Sequence, residues 1–447
     1  MQTIPALRVA DDLSPDVQET ESLRPSPAWG PVKKLLFRFA FVYLILYSFP
    51  FPLYDIPYVG MTMTWYFQMW STLVPWAGKH VFNVILSLQG NNGSGDSTYS
   101  YVQVFCFLVI SIAAALCWTL LDRKRRNYAR LYEWLRVYVR FVLAVSMIGY
   151  GAAKVIPSQF PPPTTDRLMQ PFGDSSPMGI LWTFMGASVA YTIFTGLAEL
   201  VGGLLLTVRR TTLLGALISI GVMSNVVMLN FCYDVPVKLY SMHLLLMAVF
   251  LAAHDLPRLA NVLIFNRPAE PEELRPLFRR KGLARTAAAL ATAFILYMTG
   301  MSLYDSHKFL EEYRSQASRS PLYGMWNVEE FVVDGTVRPP LVTDEKRWRR
   351  MFFNAPGRFA IQLMSDSRER YNLVELDEKK KTLTISKRND PDWKTTLVYR
   401  RPQPDVLFVE GPFDGHKVRA RLRRTEPPEF LLVTRGFHWI NERPFNR

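Results

Sequence analysis

Seven stretches of this 447-residue chain stay apolar for about 20 residues each, near 34–51, 102–121, 137–156, 179–207, 211–230, 237–256 and 286–304. The hydrocarbon core of a bilayer is about 30 Å thick, a distance a helix covers in roughly 20 residues. Inside it every backbone N–H and C=O must be satisfied within the chain, which restricts spanning structures to helices and closed barrels. The runs therefore predict a polytopic helical membrane bundle of about seven spans. The lipid bilayer is its first partner.

The mean hydropathy of only +0.05 is an average over two unlike parts. Residues 31–305 carry the apolar runs, whereas residues 306–447 are charged and alternating, with no run long enough to cross a bilayer. The polar leader, residues 1–30, reads as disordered and cytoplasmic. The first run is followed by the bulky, Pro-rich "YSFPFPLYDIPY", which offers no small-residue cleavage site, so it reads as a retained anchor.

A net charge of +14 raises the question of nucleic acid, and its distribution answers it. With a cytoplasmic N-terminus, the inner segments hold 19 Lys and Arg, while the outer loops hold Lys79, Arg167 and Lys238, with Lys154 at a helix end. That asymmetry is the positive-inside pattern of a membrane protein and argues against nucleic acid as the partner. Seven spans then place the C-terminal part outside, periplasmic if the membrane is a bacterial inner (plasma) membrane. Cys106, Cys117 and Cys232 all lie in or beside spans, and no C-x-x-C occurs. The exported part thus folds without disulfides, and dithiol redox chemistry or a cysteine zinc site is not expected.

The segment 52–100 carries Trp65, Trp70 and Trp76. Trp prefers the headgroup level, which predicts helices lying on the outer leaflet; a lid over a cavity is the sharper alternative. The loop "IPSQFPPPTTDRLMQPFGDSSPMG" cannot be helical through its three prolines. In the tail, "MWNVEEFVV", "RFAIQLM", "YNLVEL", "KTLTISK", "WKTTLVYR", "DVLFVEG", "HKVRARLRR" and "EFLLVTR" read as eight short strands. Short turns between them predict hairpins, hence an antiparallel β-barrel or curved sheet. The fold class is α+β. The expected domains are the leader 1–30, N-terminal membrane helices 31–135, a four-helix bundle 136–257, a cytoplasmic linker 258–285, a last membrane helix 286–305 and an extracytoplasmic β domain 318–447.

Within the bundle, "TGLAELVGGLLL" places Glu199 in an apolar run. At about 1.5 Å per residue, Glu199, Tyr150, Asn225 and His243 come to heights of roughly 15–21 Å above the inner end of their spans. Lys154 lies one turn beyond Tyr150. Thr195, Gly196, Gly202 and Gly203 surround Glu199 at helical spacing, a small-residue face that lets another helix approach. Gly149 with Ala153, and Gly215 with Ser219, repeat the pattern. A charge facing lipid costs about 2.5–3.5 kcal/mol on insertion scales, so Glu199 is expected to face inward, protonated or held by a partner. Two readings stand: a site for a proton, quinone or other ligand, or helix glue through Asn225 or Tyr150. His243 reads more readily as packing. Asn230, Asp234 and Lys238 in "NFCYDVPVKLY" read as turn geometry with an Asp–Lys pair. Arg38 and Arg140 lie near the inner surface, where their heads can snorkel to water.

The stretch "VRFVLAVSMIGYGAAKVIP" followed by "GLAELVGGLLLTVRRTTLLGALISIGVMSNVVMLN" resembles the DoxX family of four-helix membrane bundles. The matching positions are Arg140, Gly149 or Gly151, and Lys154 on one helix, and Glu199, Gly202 and Gly203 on the next. The resemblance covers about 136–257. It implies an accessory component of a quinone-linked redox pathway, acting with a redox partner subunit. The tail is similar to lipocalin-type barrels in its "GMW" at Gly324–Trp326, and that likeness implies Arg435 as the cover of Trp326.

From the residues themselves, the chain has no haem or iron–sulfur pattern and no G-x-S-x-G or H-E-x-x-H motif, so no electron carrier and no hydrolytic centre is evident. His307, His416 and His438 lack ligand spacing. Redox component, binder of lipid or an apolar ligand through the barrel, and assembly partner of another protein remain as alternatives.

Overall fold

The computed structural model describes residues 28–86, 93–271, 277–278, 280–319, 321–354, 357–388, 390 and 392–446. The expected disordered leader therefore lies almost wholly outside the described residues. The chain divides into two compact units, one running to Val142 and taking in Glu270–Ala284, the other made of Leu143–Ala269 with Arg285–Arg447. Among the described residues, seven helices are long and apolar enough to cross a membrane.

The first unit holds α1 (Pro31–Ser48), α2 (Thr64–Val81), α3 (Thr98–Leu121) and the start of α4 (Ala129–Val155). Ser97 caps α3 by accepting the Ser100 N–H. Trp70 of α2 is buried edge-on against Phe107, 4.8 Å between rings, while Trp65 and Trp76 stay exposed. One of the three tryptophans thus packs inside the unit and two keep the exposure an interfacial anchor needs. Arg38 does not snorkel: it is 3% exposed. Its guanidinium donates to Thr119 Oγ1 (2.8 Å), the Asp122 carbonyl (3.0 Å) and the Tyr128 hydroxyl (2.6 Å), and Tyr128 in turn donates to Asp122. Protein acceptors stand where water would serve a snorkelling side chain.

The second unit continues α4 and adds α5 (Thr165–Leu168), α6 (Pro177–Ala187), α7 (Val189–Thr207), α8 (Thr212–Cys232), α9 (Lys238–Ala252), α10 (Leu256–Leu263) and most of α11 (Lys281–Arg319). The expected single span 179–207 is two helices. Ser188 breaks it at φ −120°, ψ 94°, and its hydroxyl accepts the Tyr191 N–H. Thr192 Oγ1 donates to the Met185 carbonyl at 2.6 Å, so the break leaves its polar groups paired. Hydropathy alone does not register such a break, because both halves are apolar. α11 runs 39 residues, against the 19 or so of the expected span.

The tail is a closed antiparallel barrel of eight strands: β1 (Gly324–Val333), β3 (Trp348–Asn354), β4 (Arg358–Leu363), β5 (Arg368–Asp377), β6 (Thr382–Lys387), β7 (Lys394–Gln403), β8 (Val406–Phe413) and β9 (His416–Thr425). Neighbours in sequence pair, and β9 returns to β1 with Trp326 opposite Arg424. A two-residue strand β2 (Thr336–Val337) hangs on β1. Two-residue turns at Asp334-Gly335 and Asp414-Gly415 have positive φ at both positions, the geometry that sends a tight hairpin the way the sheet twists.

Two strand assignments change. "EFLLVTR" contains no strand; Leu431–Thr434 is one helical turn, since β9 is already paired on both edges and Pro427-Pro428 cannot donate. The eighth strand is instead β3, "WRRMFFN". Its alternation is hidden because both its faces are covered and a bulge shifts its register between Trp348 and Arg350. Phe353 points into the barrel, whereas Phe352 joins Met325 and Ala360 on the outside under Met169. Trp326, Phe331, Trp348, Met351, Phe359 and Leu397 fill the interior, as expected when eight strands close around side chains. Arg401, not Arg435, lies over the Trp326 ring, 5.6 Å from its centroid, while Arg435 sits on Phe445. The Trp326 indole donates to the Leu322 carbonyl at 2.8 Å.

The barrel is clasped to the α4–α6 loop. Asp166 of α5 is 5% exposed. It accepts from Arg368 Nη1 of β5, from Asn354 Nδ2 of β3 at 2.9 Å and from Thr164. Arg368 Nη2 reaches Gln170 Oε1 at 2.7 Å. Apart from Thr164, the partners across this contact lie about two hundred positions apart in sequence.

Candidate functional site

The site begins with glycines on α4, α7 and α8. A Cβ on Gly151 of α4 would come within 2.7–2.9 Å of the Leu200 and Gly196 backbone, and one on Gly196 within 2.6 Å of Lys154 Cβ and 2.8 Å of Val155 N. Gly203 is equally tight against Ala144 and Ile148, and Gly215 of α8 lies against Leu206 and Gly202. Two helices thus pack backbone to backbone on α7, as small residues permit. Gly149, expected in this role, meets only Ser302 of α11 at 3.9 Å; Gly151 takes its place. Gly196→Val is expected to lower the bundle's stability by about 1–3 kcal/mol or more, as overpacking does. Gly221→Ala, where nothing lies within 4 Å, is the control and leaves the melting temperature in detergent unchanged or raised.

The seam delivers an ion pair. Lys154 Nζ donates to both carboxylate oxygens of Glu199, at 2.8 and 2.6 Å. Both side chains are under a tenth exposed. Lys154 Cβ faces Gly196, three residues before Glu199, and the lysine stem covers the remaining turn, about 4.5 Å along the helix. Glu199 is therefore held neither by Asn225 nor by Tyr150, the partners the heights suggested. Height ranks residues along a helix and ignores azimuth, and the glycine seam sets the azimuth here.

Tyr150 and Tyr240 extend the polar layer. Lys154 Nζ lies 5.5 Å from the centre of the partly exposed Tyr150 ring, and that ring is 6.0 Å from Tyr240. Tyr240 of α9 donates to Ser146 Oγ of α4 at 2.9 Å. Ser146 and Tyr240 were missed; Ser146 stands two turns before Lys154 on α4, the one signal that finds it. Asn225 faces away from this layer, exposed on α8. His243 is buried, its Nδ1 at 2.6 Å from the Leu239 carbonyl one turn back.

The second group stays apart as a turn. Asn230 donates to Ser241 Oγ at 3.0 Å, and Ser241 to the Lys238 carbonyl. Asp234, at φ +49°, pairs with Lys238 at 2.8 Å. Among the described residues no group of three or more His, Cys, Asp or Glu is arranged to hold a metal.

No protein-family model matches the chain, and no solved structure matches it. Over 141 residues it is 33% identical to the uncharacterized protein YwoB of Bacillus subtilis (strain 168), a stretch covering 87% of that protein and 32% of this chain. The chain belongs to the family of YwoB. The YwoB match accounts for about a third of the length here, so most of the architecture of seven spans and a barrel lies beyond it.

Proposed function

We propose that this is an integral membrane protein that serves as an accessory component of a quinone-linked redox pathway, with its acid–base site at Lys154 and Glu199. The observation that carries the reading is the buried Lys154–Glu199 pair. Apolar residues of similar volume usually replace a buried ion pair with no loss, or a gain, of stability. Ionisable groups at membrane depth more often mark a ligand or proton site than a packing device. Tyr150, partly exposed beside Lys154, gives the site an aromatic ring next to the ion pair. Reducing a quinone to a quinol takes two electrons and two protons. A partner subunit supplies the electrons, and the pair handles the protons. The likeness to the DoxX family supports the same reading. The positive-inside charge supports a cytoplasmic N-terminus and an extracytoplasmic barrel in a plasma membrane.

The alternative, an apolar ligand carried in the barrel, has the filled interior against it. The test is purification in native lipid particles, with co-purified small molecules identified by mass spectrometry. The wild type is expected to carry a quinone in stoichiometric amount. The double variant Lys154→Met/Glu199→Leu, folded but without the pair, is expected to lose it. A quinone retained by the double variant, or absent from the wild type, sinks the reading.

A further inference from the structure

A cavity of about 450 Å³, within the range of small-molecule pockets, lies between the α4–α6 loop and the rim of the barrel. Four arginines line it: Arg167 from α5, Arg358 at the start of β4, Arg370 on β5 and Arg388 just past β6. In the register of β4 and β5, Arg358 stands opposite Asn372 and Ala360 opposite Arg370, which makes the two arginines diagonal neighbours on one face. Like charges at that spacing repel, and an anion between them relieves the repulsion. Asp166 is the one carboxylate in the lining, and it is committed to Arg368, Asn354 and Thr164. The exposed side chains of Arg358, Arg370 and Arg388 make no hydrogen bond or ion pair among the described residues.

Arg167 is pre-oriented. Its Nε donates to Thr183 Oγ1 at 2.9 Å and its Nη1 to Gln170 Oε1 at 2.6 Å, while its buried Nη2 has no partner. That nitrogen lies against Gly179, where a Cβ would come within 1.9 Å of it, so the absence of a side chain at 179 makes room for the guanidinium. Met178 and Trp182 give the wall its apolar and aromatic part.

We propose that this cavity binds a phosphate-bearing ligand, its phosphate held by Arg167, Arg358, Arg370 and Arg388 and its organic part lying against Met178 and Trp182. Guanidinium forks match phosphate oxygens in pairs, and several forks around one anion suit a doubly charged group better than a single carboxylate. A phospholipid headgroup and a free phosphorylated solute present the same chemistry.

The experiment uses the full chain in phosphatidylcholine nanodiscs. One arm titrates inorganic phosphate by calorimetry at constant chloride. The other adds phosphatidic acid to the discs and counts bound lipid by native mass spectrometry. Saturable binding in the first arm assigns a soluble phosphate, and enrichment in the second alone assigns a lipid. In either case Arg358→Gln/Arg370→Gln is expected to bind at least about tenfold more weakly, the scale of losing a charged hydrogen bond. Arg419→Gln/Arg421→Gln, which removes two exposed arginines paired with Glu330 and Glu329 on the barrel wall, is expected to bind as the wild type does. Binding in neither arm, an unaffected Arg358/Arg370 variant, or equal losses in both variants each overturn the site.

Discussion

Lys154→Met alone and Glu199→Leu alone are each expected to cost the bundle about 3–5 kcal/mol, while the double variant returns to within about 1 kcal/mol of the wild type. The asymmetry follows from the geometry. Lys154 donates to both oxygens of Glu199, and both side chains are almost sealed from solvent. Taking away one partner leaves the other's charge buried and without the hydrogen bonds it has lost. Neighbouring helices cannot draw apart to admit water without opening the Gly151–Gly196 contact. Removing both partners removes the desolvation cost together with the attraction, and Met and Leu fill a similar volume. A double-mutant cycle on unfolding in mixed micelles measures the coupling. A coupling energy near zero would mean that the two groups do not depend on each other, and the redox proposal would then lose its observation as well.

Asp166→Ala is expected to loosen the barrel from the α4–α6 loop by a comparable amount, about 3–5 kcal/mol, without unfolding either. Asp166 and Arg368 are paired with side chains only 7% and 5% exposed. Burial already pushes the Arg368 guanidinium below its ordinary range, and the Asp166 carboxylate opposes that push. Without Asp166 the guanidinium keeps Gln170 and loses its counter-charge, and Asn354 loses its acceptor. Asp166→Asn, which keeps the shape and one acceptor oxygen, is expected to lose less. The check is hydrogen exchange. Amides of residues 160–176 and of β3 and β5 should exchange faster in Asp166→Ala, and those of β7 and β8 should not. Unchanged protection around Asp166 would show that the apolar contact of Met169 with Phe352 holds the two parts together by itself.

Much of this architecture is one-dimensional information. A span is a run of about 20 apolar residues, and a half-buried strand is a period of two, so seven spans and seven of the eight barrel strands could be read directly from the chain. β3 escaped because Met169 covers its outer face, which turns an alternating strand into a run of bulky residues. The break at Ser188 escaped because two short apolar helices and one long one have the same hydropathy. In the site, Glu199 stood out as a lone carboxylate among glycines, and Lys154 was among the residues singled out with it. Their pairing was not legible, and neither was the outward face of Asn225.

The sequence by itself determined what must be hidden from water and at what spacing. It specified helices long enough to cross a membrane, hairpin turns tight enough to close a sheet, and a buried acid that required a partner. Only the tertiary structure decided which partner. Lys154 meets Glu199 because three glycines bring α4 and α7 into backbone contact at one azimuth. Asp166 meets Arg368 because a closed barrel brings β3 and β5 against the loop. Both pairings depend on the relative rotation and distance of elements far apart in sequence, quantities that a local pattern of residues does not contain.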